Sequence, residues 1–112
     1  MIEVTVLNYL ENKLPDLSVS LQVPENPPAE YVVIQKTGSG IDNHIHSATF
    51  AIQSYAKTLF RAAAINEVVK ELMDNIIELG EIAASTLNSD YNFTDTRTKV
   101  PRYQAVYDII HY

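Results

Sequence analysis

Cysteine is absent from the 112-residue sequence, which excludes disulfides, thiolate metal sites and a cysteine nucleophile. Lysine is scarce, with five in the whole chain. No uninterrupted apolar run approaches the ~20 residues that a membrane-spanning helix needs. The opening residues, with Glu3 early and no basic segment, do not predict a secretory signal. We therefore expect a soluble protein with no membrane partner, which stays where it is made unless it joins a larger assembly.

Acidic residues outnumber basic ones, fourteen to eight, and the formal net charge is −6. Affinity for DNA or RNA comes mostly from cations that neutralise phosphates, so we expect no specific nucleic-acid partner. A length of 112 residues is close to the commonest size of a single domain. The hydrophobic fraction of 46% is typical of a globular protein. We predict one domain over residues 1–112.

The segment 58–79 carries the strongest pattern in the chain. Apolar residues recur at steps of three and four and form one stripe on a helix: Ala62, Ile65, Val69, Leu72, Met73 and Ile76. Thr58 is placed to cap the first turn, and Gly80 is placed to end the helix in a left-handed conformation. We expect a long helix that packs against a sheet and buries Ile65, Val69, Leu72 and Ile76.

The remaining segments read as one short helix and four or five strands. A helix over 2–13 is predicted to end before Pro15. Alternating or β-branched runs predict strands at 17–23, 31–37, 46–56 and 102–112, with a further short strand at 81–87 left open. Residues 24–28 and 38–43 are predicted to be a loop and a turn, and 89–99 an exposed loop or arm. This order predicts an α+β fold: a mostly antiparallel four- or five-stranded sheet packed on a long helix, plus a short N-terminal helix.

Two histidines offer the first candidate for chemistry. His44 and His46 would share one face of a strand and could bind a metal, with Asp42 or His111 as a third ligand. The alternative is two polar residues in a glycine-containing loop. We favour that alternative and expect no metal site.

Paired carboxylates are the second candidate. Glu67 with Glu71, and Glu78 with Glu81, could each share a helix face and divide acid and base roles. The alternative, a solvated helix face, is the one we favour. No nucleophile elbow, glycine-rich phosphate loop or zinc signature is present. We therefore expect no catalytic residue, no cofactor and no enzyme.

A small cationic cluster is the third candidate. Arg97, Lys99 and Arg102 lie among aromatic residues and resemble a small nucleic-acid patch, although nearby aspartates dilute it. We favour a charged loop or a contact with another protein. The predicted subunit or partner interface is therefore Asp95, Arg97, Lys99 and Arg102.

Taken together, several segments resemble the small tail terminator or tail-completion (head–tail joining) proteins of long-tailed bacteriophages and prophages. They are the opening short helix, the strand EYVVIQKTG, the strand-into-helix segment HSATFAIQSYAKTLFRAAAINEVVKELMDNI and the closing TDTRTKVPRYQAVYDIIHY. Closer points of likeness are the alanine-rich first helical turns from Arg61 to Ala64, the polar 89–99 loop, and the Arg102-Tyr103 opening of the last strand. The resemblance covers nearly the whole chain.

The resemblance implies a structural subunit that forms a ring, commonly a hexamer. Such a ring caps the tail tube and joins it to the neck of the head. Its partners would be other copies of the chain, the phage tail tube protein and a head–neck completion protein. The protein would lie in the virion at the tail–head junction, and in the host bacterial cytoplasm during assembly. Two alternatives stay open: a head–neck completion protein, and a small metal-binding or enzymatic α+β module that uses His44 and His46.

Overall fold

The computed structural model describes all residues from 1 to 112. In chain order its elements are α1 (Ile2–Lys13), β1 (Ser18–Ser20), β2 (Tyr31–Asp42), β3 (Ile45–Tyr55), α2 (Leu59–Asp74), a 3-10 turn (Ile76–Glu78), β4 (Ile82–Asn92) and β5 (Arg102–His111). The fold is α+β, as the sequence predicts. None of its helices has the length and apolar character needed to cross a membrane.

The five strands form one sheet in the order β1-β2-β3-β5-β4. β1 pairs with β2 in parallel, and all other neighbours are antiparallel. The register pairs Ile52 with Ile34 on one side and with Ala105 on the other. Because side chains alternate between the two faces of a sheet, this register places Ile34, Ile52 and Ala105 on the same face, where all three are buried in the main core.

Both helices pack on that apolar face. Thr58 caps α2 as predicted, since its hydroxyl accepts the Arg61 backbone N–H at 3.2 Å. The stripe residues Ile65 and Val69 are buried in one cluster with fully buried sheet residues: Phe50, Ile52, Tyr107 and Ile109. α1 packs beside α2 at the β1 and β2 side. The prediction of a sheet buried against a long helix is confirmed.

The end of α2 differs from the prediction. The α-helix stops at Asp74, and the chain then tightens into the 3-10 turn. Asn75 donates its side-chain amide back to the Glu71 carbonyl at 2.9 Å, which satisfies a carbonyl at the helix end. Gly80 has no positive φ, so it is not the left-handed cap. Leu72, predicted to be buried, is only half-buried at the edge of the core, and Met73 beside it is fully buried.

Strand boundaries also differ from the prediction. Residues 38–42 belong to β2, with a bulge between Lys36 and Gly38, because β3 offers these residues a partner along their whole length. The hairpin turn is Asn43–His44, with φ of 49° and 66°, as a type I′ turn requires. β1 ends at Ser20, whose hydroxyl donates to the Gln22 carbonyl at 2.6 Å. That contact leads into the irregular segment that follows β1.

Candidate interaction surface

One face of the sheet has no helix over it; we call it the open face. Its central row runs across four strands as Val33, Gln53, Gln104 and Tyr91, which are register partners in turn. Val33, Gln53 and Gln104 are nevertheless buried. Their cover comes from side chains of the sheet itself, which lie across the strands.

A hydrogen-bonded chain runs along this row. The Gln53 amide donates to Gln104 Oε1 at 2.8 Å, and the Gln104 amide donates to the Tyr91 hydroxyl at 2.7 Å. The Tyr55 hydroxyl donates to Gln53 Oε1 at 3.2 Å. Buried amides need such partners, since an unpaired one costs about 1–3 kcal/mol. The network therefore holds two glutamines and two tyrosines in one arrangement.

Aromatic rings and one guanidinium continue the open face to its end. Tyr31 stacks on Tyr55 with ring centroids 4.4 Å apart. The Arg102 guanidinium lies 4.4 Å from the Phe93 centroid and 5.4 Å from that of Tyr55, and it donates to the Tyr55 hydroxyl at 3.0 Å. Burial raises the pKa of the Tyr31 hydroxyl. Tyrosine and arginine are enriched at protein–protein interfaces, and here both are held in place before any partner binds.

This region lies where β2 and β5 begin and β3 and β4 end; we call it the loop end. Two loops meet there, 21–30 and 93–101. Of the predicted interface residues, Arg102 begins β5, and Asp95, Arg97 and Lys99 lie in the second loop. Asp95 and Arg102 are half-buried, whereas Arg97 and Lys99 are exposed. The structure thus brings the four residues to one end of the sheet.

The prediction of a loop or arm over 89–99 is wrong in its boundaries. Residues 89–92 belong to β4, because β5 pairs with β4 as far as Asn92. The rest is a folded hairpin connection: the Phe93 N–H donates to the Arg102 carbonyl at 2.8 Å, and the Lys99 N–H to the Asp95 carbonyl at 2.8 Å. The Asp95 carboxylate accepts the Arg97 N–H at 2.8 Å. These contacts fold the loop on itself.

The candidate histidine site is divided between elements. His44 is in the hairpin turn, and His46 is in β3 opposite His111 of β5. The rings of His46 and His111 stack with centroids 5.4 Å apart. Groups of three or more histidine, aspartate or glutamate side chains placed to hold a metal ion are absent.

One glutamate of each predicted carboxylate pair binds a lysine within the domain. Glu67 binds the Lys70 ammonium at 2.9 Å, and Asp90 of β4 binds the same ammonium at 3.3 Å. The hydrogen bond to Glu67 is the main cause of the raised pKa of Lys70. Glu78 pairs with Lys13 at 3.2 Å. These carboxylates therefore bind cations within the domain.

Tyr107 lies beside Lys70. Its hydroxyl donates to Asp74 Oδ1 at 2.9 Å and lies 3.0 Å from the Lys70 carbonyl. Burial, and then the Asp74 carboxylate, raise the pKa of Tyr107. The Tyr107 ring is fully buried. Its hydroxyl contacts join β5 to the last turn of α2.

Sequence reasoning identified Arg102 but missed Gln53 and Gln104 as a pair. Each glutamine alternates with apolar residues along its own strand. Their contact depends on the β3–β5 register, which pairs residues 51 positions apart. A glutamine at the centre of each of two strong strands is the only local signal. Comparison with protein-family models and with curated proteins finds no match for this chain.

Proposed function

We propose that this chain is a structural subunit of a ring that caps the tail tube of a long-tailed bacteriophage or prophage and joins it to the head. The proposal starts from the resemblance described above. The order of elements, α-β-β-β-α-β-β, agrees with it. The ring would be a hexamer at the tail–head junction, assembled in the host bacterial cytoplasm. In this proposal the protein has no catalytic role.

The observation that carries the proposal is the open face. Helices cover one face of the sheet only, and the other presents tyrosine, glutamine and arginine side chains held by hydrogen bonds. A surface ordered in advance loses less side-chain entropy on binding. We assign this face to the contact with the tail tube, a partner built from many identical subunits.

Exposed apolar residues elsewhere support an assembling protein. Phe60 at the start of α2 is 80% exposed, and Val68 two turns later is 46% exposed. Of the two edge strands, β1 is only three residues long and β4 is interrupted by register shifts. Both features discourage indiscriminate pairing of strands. In a closed ring, each subunit contacts the next through the same two different surfaces, so neither surface stays free on any subunit. These features suit a chain that assembles in one specific way.

The test has two parts. The native mass of the purified protein should increase with concentration towards a closed ring, and the protein should sediment with purified phage tail tubes. Binding to tubes and not to tailless heads would favour the tail terminator over the head–neck completion protein. A protein that stays monomeric at every concentration and binds neither particle would contradict the proposal.

A matched pair of variants tests the assigned surface. Val106→Lys places a charge on the open face, where Val106 is half-buried, and Val68→Lys places the same charge on the outer face of α2. We expect Val106→Lys to abolish sedimentation with tubes and Val68→Lys to retain it, with both variants folded by circular dichroism. The opposite result would assign tube binding to the helix layer.

A further inference from the structure

The basic residues of this chain fall into two groups. Four of them form ion pairs within the domain: Lys13, Lys36, Arg61 and Lys70. The other four have no carboxylate partner, and all lie at the loop end: Lys57, Arg97, Lys99 and Arg102. On a chain with net charge −6, unpaired positive charge is thus concentrated at one end.

Two of the unpaired lysines line one groove at the loop end. This groove has a volume of about 640 Å³, and its walls include prolines 27, 28 and 101 with Val100. Lys57 and Lys99 both line it. Lys99 has φ of 58°, a left-handed conformation that its N–H bond to the Asp95 carbonyl supports. The groove therefore combines apolar walls with two free ammonium groups.

The β2–β3 hairpin tip carries the complementary chemistry. Ile41 and Ile45 are 64% and 54% exposed. Asp42 is exposed, has no cation partner, and is the register partner of Ile45. Register partners point to the same face of the sheet, so the carboxylate and the Ile45 side chain are presented side by side.

Tip and groove lie at opposite ends of the same two strands. Tyr31, the first residue of β2, lines the groove, and Asp42 is the last residue of β2. Eleven steps of about 3.3 Å separate them by roughly 36 Å, which agrees with the longest dimension of the molecule, 43 Å. The tip of one copy therefore cannot reach its own groove.

We infer that the hairpin tip of one copy docks in the loop-end groove of the next. Asp42 lies between Lys57 and Lys99, and Ile45 lies against the proline wall. This inference rests on the proposed ring and names its repeating contact. Tip and groove are unlike surfaces, so the contact is head-to-tail, and a head-to-tail contact closes into a ring when its rotation allows. Oppositely charged partners also fix the register of docking.

A nucleic acid is the other class of partner that two lysines could bind. The groove walls favour a protein, because they are mostly prolines and small apolar residues. The one tyrosine among them, Tyr31, is buried and already stacked on Tyr55, so it offers no free ring on which a base could stack. The two exposed isoleucines have no explanation in nucleic-acid binding. The acidic net charge of the chain also opposes approach to phosphates.

The first experiment uses the absence of native cysteine. Ser39→Cys near the tip and Thr98→Cys beside the groove keep every charge of the contact. Mixed together and treated with a short bismaleimide, the two variants should form a cross-linked dimer. A mixture of Ser39→Cys with Asn12→Cys, an exposed position on α1, is the control. The 39–98 product should form at least about ten times faster, equivalent to ~1.4 kcal/mol, and equal rates would overturn the inference.

The second experiment reverses the charges. One variant carries Asp42→Lys, and the other carries Lys57→Glu together with Lys99→Glu. Each variant alone should raise the concentration at half-assembly at least about tenfold. Mixing the two variants should restore assembly, because every junction of an alternating ring then pairs opposite charges. Glu11→Lys makes the same charge change as Asp42→Lys at an exposed residue of α1, outside the tip and the groove, and should leave assembly unchanged.

The outcomes separate the inference from the proposed function. If the wild type assembles but mixing the reversed variants does not restore assembly, the tip–groove contact is wrong and the ring stands. If cross-linking is selective but no ring forms on tubes or in solution, the contact stands and the proposed function fails. If the groove reversal abolishes binding of a single-stranded oligonucleotide and leaves assembly intact, the groove is a nucleic-acid site and the inference is overturned.

Discussion

The two faces of the sheet bury their central residues by different means. On the helix-covered face, Phe50, Ile52 and Ile109 are fully buried beneath α1 and α2. On the open face, Gln53 and Gln104 are exposed by only 8% and 7%, yet no helix lies over them. Their cover is a single layer of tyrosines and amides from the strands.

The two kinds of burial contribute differently to stability. Burial of apolar area contributes about 25 cal/mol per Å², so the helix-covered face supplies most of the folding free energy. A hydrogen bond contributes a net ~1 kcal/mol, because water would satisfy the same groups in the unfolded chain. The hydrogen bonds of the open face therefore contribute less to the folding free energy than the apolar contacts beneath the helices. Substitutions on both faces test this division, and a pair at the hairpin turn, outside both faces, provides a comparison.

The largest effect is expected beneath the helices. Met73→Ala should lower the free energy of unfolding by about 2–5 kcal/mol, because it leaves a cavity in the core. Leu72→Ala, at the neighbouring half-buried residue, should lower it by about 1 kcal/mol. Urea denaturation of both variants measures the difference. Equal losses would mean that the half-buried Leu72 contributes as much to the core as the fully buried Met73 does.

Tyr107→Phe should have an intermediate effect, with a distinctive dependence on pH. Near neutrality it should lower stability by about 1–2 kcal/mol, the value of the lost hydroxyl contacts. The raised pKa of Tyr107 means that the folded protein keeps this proton while the unfolded chain loses it near pH ~10. Wild-type stability should therefore fall as the pH rises above about 10.

In Tyr107→Phe that alkaline loss should be smaller. Unfolding free energies measured at about pH 8 and about pH 11 give the slope for both proteins. An identical slope in the variant would show that another group controls the alkaline loss.

On the open face, Tyr55→Phe should lower stability by only ~1 kcal/mol, because the hydroxyl links Gln53 and Arg102 by bonds of modest net value. Tyr103→Phe is the matched control: Tyr103 is half-buried on the other face, and no hydrogen bond involves its hydroxyl. We expect almost no change in the thermal midpoint of the Tyr103→Phe variant. A loss in Tyr55→Phe as large as in Met73→Ala would contradict the division between the faces.

The smallest effect is expected at the hairpin turn, which belongs to neither face. His44 has φ of 66°, a conformation that glycine adopts without the penalty of a Cβ atom. His44→Gly should therefore raise stability by about 0.5–1 kcal/mol, giving the Asn-Gly pair that type I′ turns prefer. Chemical denaturation measures the change in the free energy of unfolding. Asn43→Ala puts an unfavourable residue at φ 49° and should lower that free energy.

Sequence by itself determined the features that depend on local periodicity. The bounds of α1, the Thr58 cap and the burial of Ile65 and Val69 were all predicted. So was the α+β class, since strands in groups joined by short connections predict an antiparallel sheet. Arg102 was predicted as an interface residue because its neighbours in the chain are cationic and aromatic, and that role stays a prediction.

Only the tertiary structure decided the lengths of the strands and the contacts between them. β2 runs through Gly38 and Gly40, and β4 reaches Asn92, because a neighbouring strand supplies hydrogen-bond partners there. The pairing of Gln53 with Gln104 depends on the same register. A strand is completed by its partner, whereas a helix satisfies its own backbone. For this reason the helical stripe could be read along the chain, and the open face could not.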